Sequence, residues 1–184
     1  MGGGLYRTEP VFAAALDECA RLAGPIDGHD LVELMYGEHP DPASATEALL
    51  RTSVGQPAIF ALQYALSRLW ASWGVVPSAM VGHSVGEIAA ACIGGVLRLE
   101  DAMALAIDRE RLMQDLPAGV MTAVMAEAAV VLPLLDEHVS LAAVNAPEQC
   151  RLRAVGVGGR AGAGARRPRV RSGAFSTRAP STRR

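Results

Sequence analysis

The stretch VGHSVGE, residues 81–87, sets Ser84 between Gly82 and Gly86, with His83 just before it. AMVG (79–82) predicts a short buried strand running into this turn. EIAAACI (87–93) predicts a helix of small residues suited to close packing. G-x-S-x-G between a strand and a helix is a nucleophile-elbow arrangement. In such an elbow there is no room for a β-carbon at Gly82 or Gly86, and the Ser84 hydroxyl is lifted to the tip of the strand. The free N–H groups of the next helix then face it, and that of Val85 can stabilise an oxyanion. Glycine and serine also fill ordinary turns. The flanking strand and helix favour the nucleophile over the structural turn. His83 is not read as the base of Ser84, because adjacent residues in so tight a turn point apart. It reads as a histidine beside the elbow. His29, His39 and His138 sit in loops or at strand edges, with no carboxylate at a telling spacing.

LEDAMALAIDRERLMQDL (99–116) predicts a long amphipathic helix ended by Pro117. The neighbours of Arg109 three and four positions away are Leu105, Ala106, Leu112 and Met113, all apolar. This spacing predicts a permanent charge on a buried face without a local partner. Such an arginine needs an anion, and its fork suits a carboxylate. The anion can be a ligand or a distant acid of the protein. Arg111, near Asp108 and Asp115, reads as a solvated ion-pair arginine.

Further out, Phe12, Leu16, Cys19 and Ala23 fall at helical spacing behind Thr8 as a cap, and Gly24-Pro25 ends that helix. A short helix over 31–36 and a loop, GEHPDPAS (37–44), follow. AIFALQYALSRLWASW (58–73) is apolar almost all round and predicts a buried helix stopped by Gly74. Beyond Pro117 a strand (120–125), a helix with a proline kink (126–137) and a second strand (139–144) read as the opening of a small second domain.

With 51% apolar residues, the 184-residue chain can bury a core. It contains no lysine, and charge divides sharply along it. Residues 1–150 hold seven arginines and all 19 acids, whereas 151–184 hold ten arginines and no acid. That tail has no hydrophobic period and predicts disorder. Its charge would attract phosphates, but no interleaved aromatics or folded RNA-binding motif accompany it; no nucleic-acid partner is expected. Cys19, Cys92 and Cys150 are scattered, without disulfide or metal spacing, and predict reduced thiols in a cytoplasmic protein. The N-terminus lacks a signal-peptide pattern. The longest uncharged run, 69–86, is broken by Gly74, Pro77 and Gly82, so no membrane span is expected.

RTEPVFAAALDECA, GQPAIFALQYALSRLWASWGVVPSAMVGHSVGEIAAACIGGVLRLEDAMALAIDRERLMQDLP and LAAVNAPEQC together resemble the acyltransferase domain of modular polyketide synthases, in the malonyl-CoA:acyl-carrier-protein transacylase family. The resemblance runs from about Leu5 to Cys150. It implies a partial α/β-hydrolase-like large subdomain (1–118) and the start of a ferredoxin-like small subdomain (119–150). Residues 151–184 would be a disordered Arg-rich tail. Ser84 would take an acyl group from a coenzyme A thioester, the substrate, and pass it to the phosphopantetheine thiol of an acyl carrier protein. Val85 would supply an oxyanion donor, Arg109 would hold the malonyl carboxylate, and Gln56 and His83 would line the substrate side. No bound cofactor or metal is implied. Val85 after the serine is similar to malonyl-selecting members. The family's first strand and glutamine-bearing loop precede the matching region, and RLRAVGVGG replaces the segment that leads to the catalytic histidine. The tail's composition fits a shifted reading frame after Cys150. The chain is therefore expected to be truncated at both ends, with little or no turnover. A non-catalytic remnant or docking module and a generic serine esterase are the alternatives. Arg109 separates the esterase, because a neutral acyl group has no need of a buried cation.

Overall fold

The computed structural model describes residues 2–114, 119–155 and 173–175. The chain divides into two compact units, Met1–Asp115 and Leu116–Arg184. The first is built from seven helices among the described residues: α1 (Gly3–Thr8), α2 (Pro10–Ala23), α3 (Leu31–Tyr36), α4 (Pro42–Leu50), α5 (Thr52–Ser72), α6 (Val85–Ile93) and α7 (Leu99–Gln114).

Local chemistry explains most boundaries. Pro10 opens α2, where its missing N–H costs nothing. Phe12, Ala15, Leu16, Cys19 and Ala20 form its buried stripe. Thr8 does not cap α2 as expected; it ends α1, and its hydroxyl donates to the Gly4 carbonyl at 3.2 Å. The Asp30 carboxylate caps α3 by accepting the Glu33 N–H at 2.9 Å. The expected loop 37–44 ends early. Asp41 accepts the Ala43 N–H at 3.0 Å, and Pro42 takes the first position of α4. That cap-and-proline signal stands in the sequence.

α5 begins at Thr52 rather than Ala58 and carries Pro57 inside it, so one helical hydrogen bond is lost near its start. It is the central element and packs against α2, α4, α6 and α7. Its buried face combines Phe60 and Leu69 with Ala58, Ala61 and Ala65, which let its neighbours approach closely. The Cys19 thiol of α2 is pushed up to about 12 by burial, so this cysteine stays a protonated core group. Cys19, Cys92 and Cys150 are all free and buried.

The expected strand 79–82 does not form. The segment is irregular and Val81 is 98% exposed. A strand needs neighbours for its N–H and C=O groups, and no strand lies in this unit among the described residues. Val75, Val76 and Met80 instead border an open groove of about 740 Å³ with Tyr64, Trp70 and Leu97.

The second unit holds β1 (Gly119–Val124), α8 (Ala128–Val131) with a 3-10 turn through Leu132–Leu134, β2 (Val139–Ala146), β3 (Gln149–Val155) and β4 (Gly173–Phe175). The helix is shorter than the expected 126–137, because Pro133 tightens its end into the 3-10 turn. The sheet order is β2-β3-β1-β4 with every pair antiparallel. β1 and β2 thus run parallel with β3 between them, the split β-α-β of ferredoxin-like folds. The expected disorder of 151–184 is corrected at two places. Residues 151–155 pair with β1 from Gly119↔Val155 to Ala123↔Arg151, and 173–175 pair with Met121–Ala123. Leu152 and Ala154 alternate there with Arg151 and Arg153, a strand period too short to stand out in a tail without one. The rest of that tail, and the expected end of α7 near Pro117, lie outside the described residues. Among the described residues no helix is long and apolar enough to cross a membrane.

Phe60 is completely buried on the central helix, whereas Leu50 is 80% exposed at the end of α4. Phe60→Ala is expected to cost about 3–5 kcal/mol in urea denaturation, and Leu50→Ala no more than about 0.5 kcal/mol.

Candidate active site

Ser84 is the residue before α6, and its backbone stands at φ 58°, ψ −124°. Only Asp27 shares a positive φ among the described non-glycine residues. Such a conformation costs a side-chain-bearing residue about 1–3 kcal/mol and persists where its surroundings over-determine it. Two bonds do so. The Gly86 N–H donates to the His83 carbonyl at 3.1 Å, and the Glu87 N–H donates to the Ser84 carbonyl at 3.0 Å. Gly82 is required, because a β-carbon there would collide with the Glu87 amide nitrogen and the Gly86 carbonyl. Gly86 is not required in this way. A β-carbon on it would meet only Gln63 Nε2, at an ordinary 3.8 Å. The steric expectation is therefore corrected at Gly86, which already lies inside α6 with its open side toward α5.

The Val85 side chain is buried, and the residue opens α6. Its N–H is one of those a helix leaves without an internal partner. Among the described residues nothing accepts from it.

α7 brings Arg109 to the turn. Its Nη2 donates to Ser84 Oγ at 3.1 Å, across 25 positions of sequence. The two residues singled out from separate sequence patterns thus meet. Its environment differs from the expectation, however. The side chain is 34% exposed, and Leu105, Leu112 and Met113 are exposed as well. The buried face of α7 is turned round by one position and comprises Ala102, Met103, Ala106, Ile107 and Glu110. Nor is the arginine without a local partner, because its Nη1 pairs with Glu110 Oε1. Glu110 is only 1% exposed, and its Oε2 has no partner among the described residues. Burial pushes its carboxyl above the usual carboxylate range, and the Arg109 charge offsets part of that rise. Sequence reasoning missed Glu110, although a signal was there: Met103, Ala106 and Ile107, at helical spacing before it, are all apolar. Arg111 pairs with Asp108 at 3.7 Å on the exposed side, as its spacing predicts.

His83 is exposed and Gln56 is half-buried on α5. Among the described residues no hydrogen bond joins either side chain to Ser84 or Arg109. The amide that reaches α6 is Gln63, two turns beyond Gln56, with Oε1 buried and without a partner among the described residues. His39 bonds the Leu34 carbonyl at 3.0 Å, and His138 lies 3.6 Å from Glu137 on the surface.

A serine held at positive φ before a helix, over a glycine that tolerates no side chain, has the form of the serine-nucleophile turn of acyl-transfer enzymes. The chain belongs to the acyl transferase domain family, whose model matches residues 1–155. It is 46% identical over 151 residues to the mycoketide-CoA synthase of Mycobacterium tuberculosis, an alignment covering 80% of this chain and 3% of that synthase. It is similar to the crystal structure of the acyltransferase domain from the second module of the salinomycin polyketide synthase, with 43% identity and a TM-score of 0.74, covering 85% of this chain and 35% of that one. It is also similar to a malonyl-transacylase solved in complex with a type II PKS acyl-carrier protein, with 28% identity and a TM-score of 0.72, covering 85% of this chain and 50% of that one. The chain thus spans a few per cent of the curated synthase and up to half of these solved structures.

The backbone strain at Ser84 is measurable. Ser84→Gly and Ser84→Ala both lose the bond to Arg109, but only glycine relaxes at this φ. The glycine variant is expected to be more stable by about 1 kcal/mol. Equal melting temperatures for the two would show that the turn holds no strain.

Proposed function

We propose that the chain carries the acyl-accepting centre of a polyketide synthase acyltransferase. Ser84 Oγ attacks the thioester carbonyl of an acyl-coenzyme A. The C–S bond breaks, coenzyme A leaves as the thiol, and the acyl group remains as an ester on Ser84. The phosphopantetheine thiol of an acyl carrier protein then attacks that ester and restores the serine. The Val85 N–H faces the oxyanion of both tetrahedral intermediates. The observation that carries this reading is the 3.1 Å contact between Arg109 Nη2 and Ser84 Oγ. A guanidinium so close to the acyl-bearing oxygen is placed to hold the free carboxylate of a malonyl group. A site for neutral acyl groups gains nothing from such a cation, which sets a generic esterase aside.

Coenzyme A thioester and carrier protein enter as substrates, and the proposal includes no resident cofactor. The solved malonyl-transacylase with its acyl-carrier protein supports the choice of partner. Gln56 and His83 are assigned to the lining of the substrate side, and the buried, free cysteines fit a cytoplasmic setting. By this reading residues 1–118 belong to the large subdomain, and 119–150, together with the strand residues 151–155 and 173–175, to the small one.

A serine hydroxyl is a weak nucleophile at neutral pH and needs a base. Among the described residues no histidine ring bonds Ser84, and the hydroxyl instead accepts from a guanidinium, which takes no proton. Losing the base of a serine–histidine pair costs on the order of 10⁶ in kcat. The expected outcome is slow formation of a malonyl-Ser84 ester, read by intact mass, with almost no loading of carrier protein. Ser84→Ala abolishes the ester. Arg109→Ala reduces malonyl transfer about 10–10²-fold, as expected for a lost charge-assisted contact at a partly exposed arginine, and acetyl transfer far less. Carrier loading within about tenfold of an intact acyltransferase domain, abolished by Ser84→Ala, would overturn the missing-base argument. Equal losses for both acyl groups in Arg109→Ala would make Arg109 structural.

A further inference from the structure

The guanidinium of Arg109 serves two masters. Nη2 reaches Ser84 Oγ, and Nη1 is held by the Glu110 carboxylate. Glu110 is not a surface acid that can swing away. It is 1% exposed, on the α7 face with Met103, Ala106 and Ile107. Breaking its pair would leave a buried charge without compensation, which is strongly unfavourable. Arg109 therefore meets an incoming substrate as half of a neutral pair rather than as a free cation.

We infer that Glu110 is a specificity-determining residue, whose carboxylate competes with the free carboxylate of a malonyl-type acyl group for Arg109 and so narrows the preference for such groups over neutral ones. The inference rests on the reading of Arg109 as the group that holds the substrate carboxylate. A bidentate carboxylate takes two N–H groups from one edge of the fork. Here one terminal nitrogen is already committed to Glu110. A second carboxylate brought to the same fork feels repulsion at short range from the first, which is itself buried and poorly screened by water. Acetyl and propionyl thioesters carry no such charge and meet neither the attraction nor the repulsion. The unpartnered Oε2 fits this arrangement, because nothing else among the described residues draws Glu110 away from Arg109.

The test measures the affinity of the full chain for malonyl-CoA and acetyl-CoA by titration calorimetry, and so needs no turnover. Glu110→Gln keeps the shape and an oxygen for Arg109 Nη1 but removes the charge. Its malonyl-CoA affinity is expected to rise about tenfold, with acetyl-CoA affinity changed no more than about twofold. Glu110→Met, an apolar side chain of similar length, is expected to shift the ratio the same way and serves if the glutamine variant does not melt cooperatively. In an Arg109→Gln background the substitution at 110 should leave the ratio unchanged. An unchanged or lower malonyl preference in both Glu110 variants, while Arg109→Gln still weakens malonyl-CoA, overturns the competition and makes Glu110 an orienting group. If Arg109→Gln weakens malonyl and acetyl equally, or neither thioester binds, the reading of the site itself fails and the inference falls with it.

Discussion

The hydrogen bond from Arg109 Nη2 to Ser84 Oγ joins the start of α6 to the last turns of α7, and the candidate site is organised around it. It forms only if three conditions hold together. The chain must cross itself at Gly82, where no β-carbon fits. Ser84 must accept φ 58°, which presents its hydroxyl ahead of the helix. α6 and α7 must both pack on α5, which fixes the angle at which the arginine arrives. The alanines along α5 let these helices approach closely, and Phe60 is fully buried on the same helix.

Charge placement follows from the same geometry. α7 buries the face that carries Glu110, so the acid is forced into the core and takes the nearest cation. Arg109, one residue earlier, stays at the boundary and is steered by Glu110 on one side and Ser84 on the other. An arginine tied in this way loses less conformational freedom on binding a ligand than a free surface arginine does. Part of its charge is spent before a ligand arrives.

Much of the site was legible in the sequence because its signals are local. The strand–turn–helix pattern around Ser84 and the apolar neighbours of Arg109 singled out two residues 25 positions apart, and the structure brings them together. The sequence could not show which face of α7 is buried. Leu105, Leu112 and Met113 suggested one face, but the helices available for packing select the neighbouring one, which carries Glu110. The strand expected at 79–82 failed for a related reason, since strands depend on partners elsewhere in the chain. α4 was hidden in a polar stretch, although Asp41-Pro42 announces a helix start. β3 was hidden in an arginine-rich segment whose alternation lasts only a few residues.

The central claim is that Ser84 stands strained and exposed with Arg109 on its hydroxyl. A crystal structure of the chain tests it most directly, through the Ser84 backbone angles and the Arg109 Nη2–Ser84 Oγ distance. The account predicts a positive φ at Ser84 and a separation of about 3 Å, within hydrogen-bond range. Ser84 found at an ordinary negative φ as a helix cap, with Arg109 turned away to solvent, would contradict it.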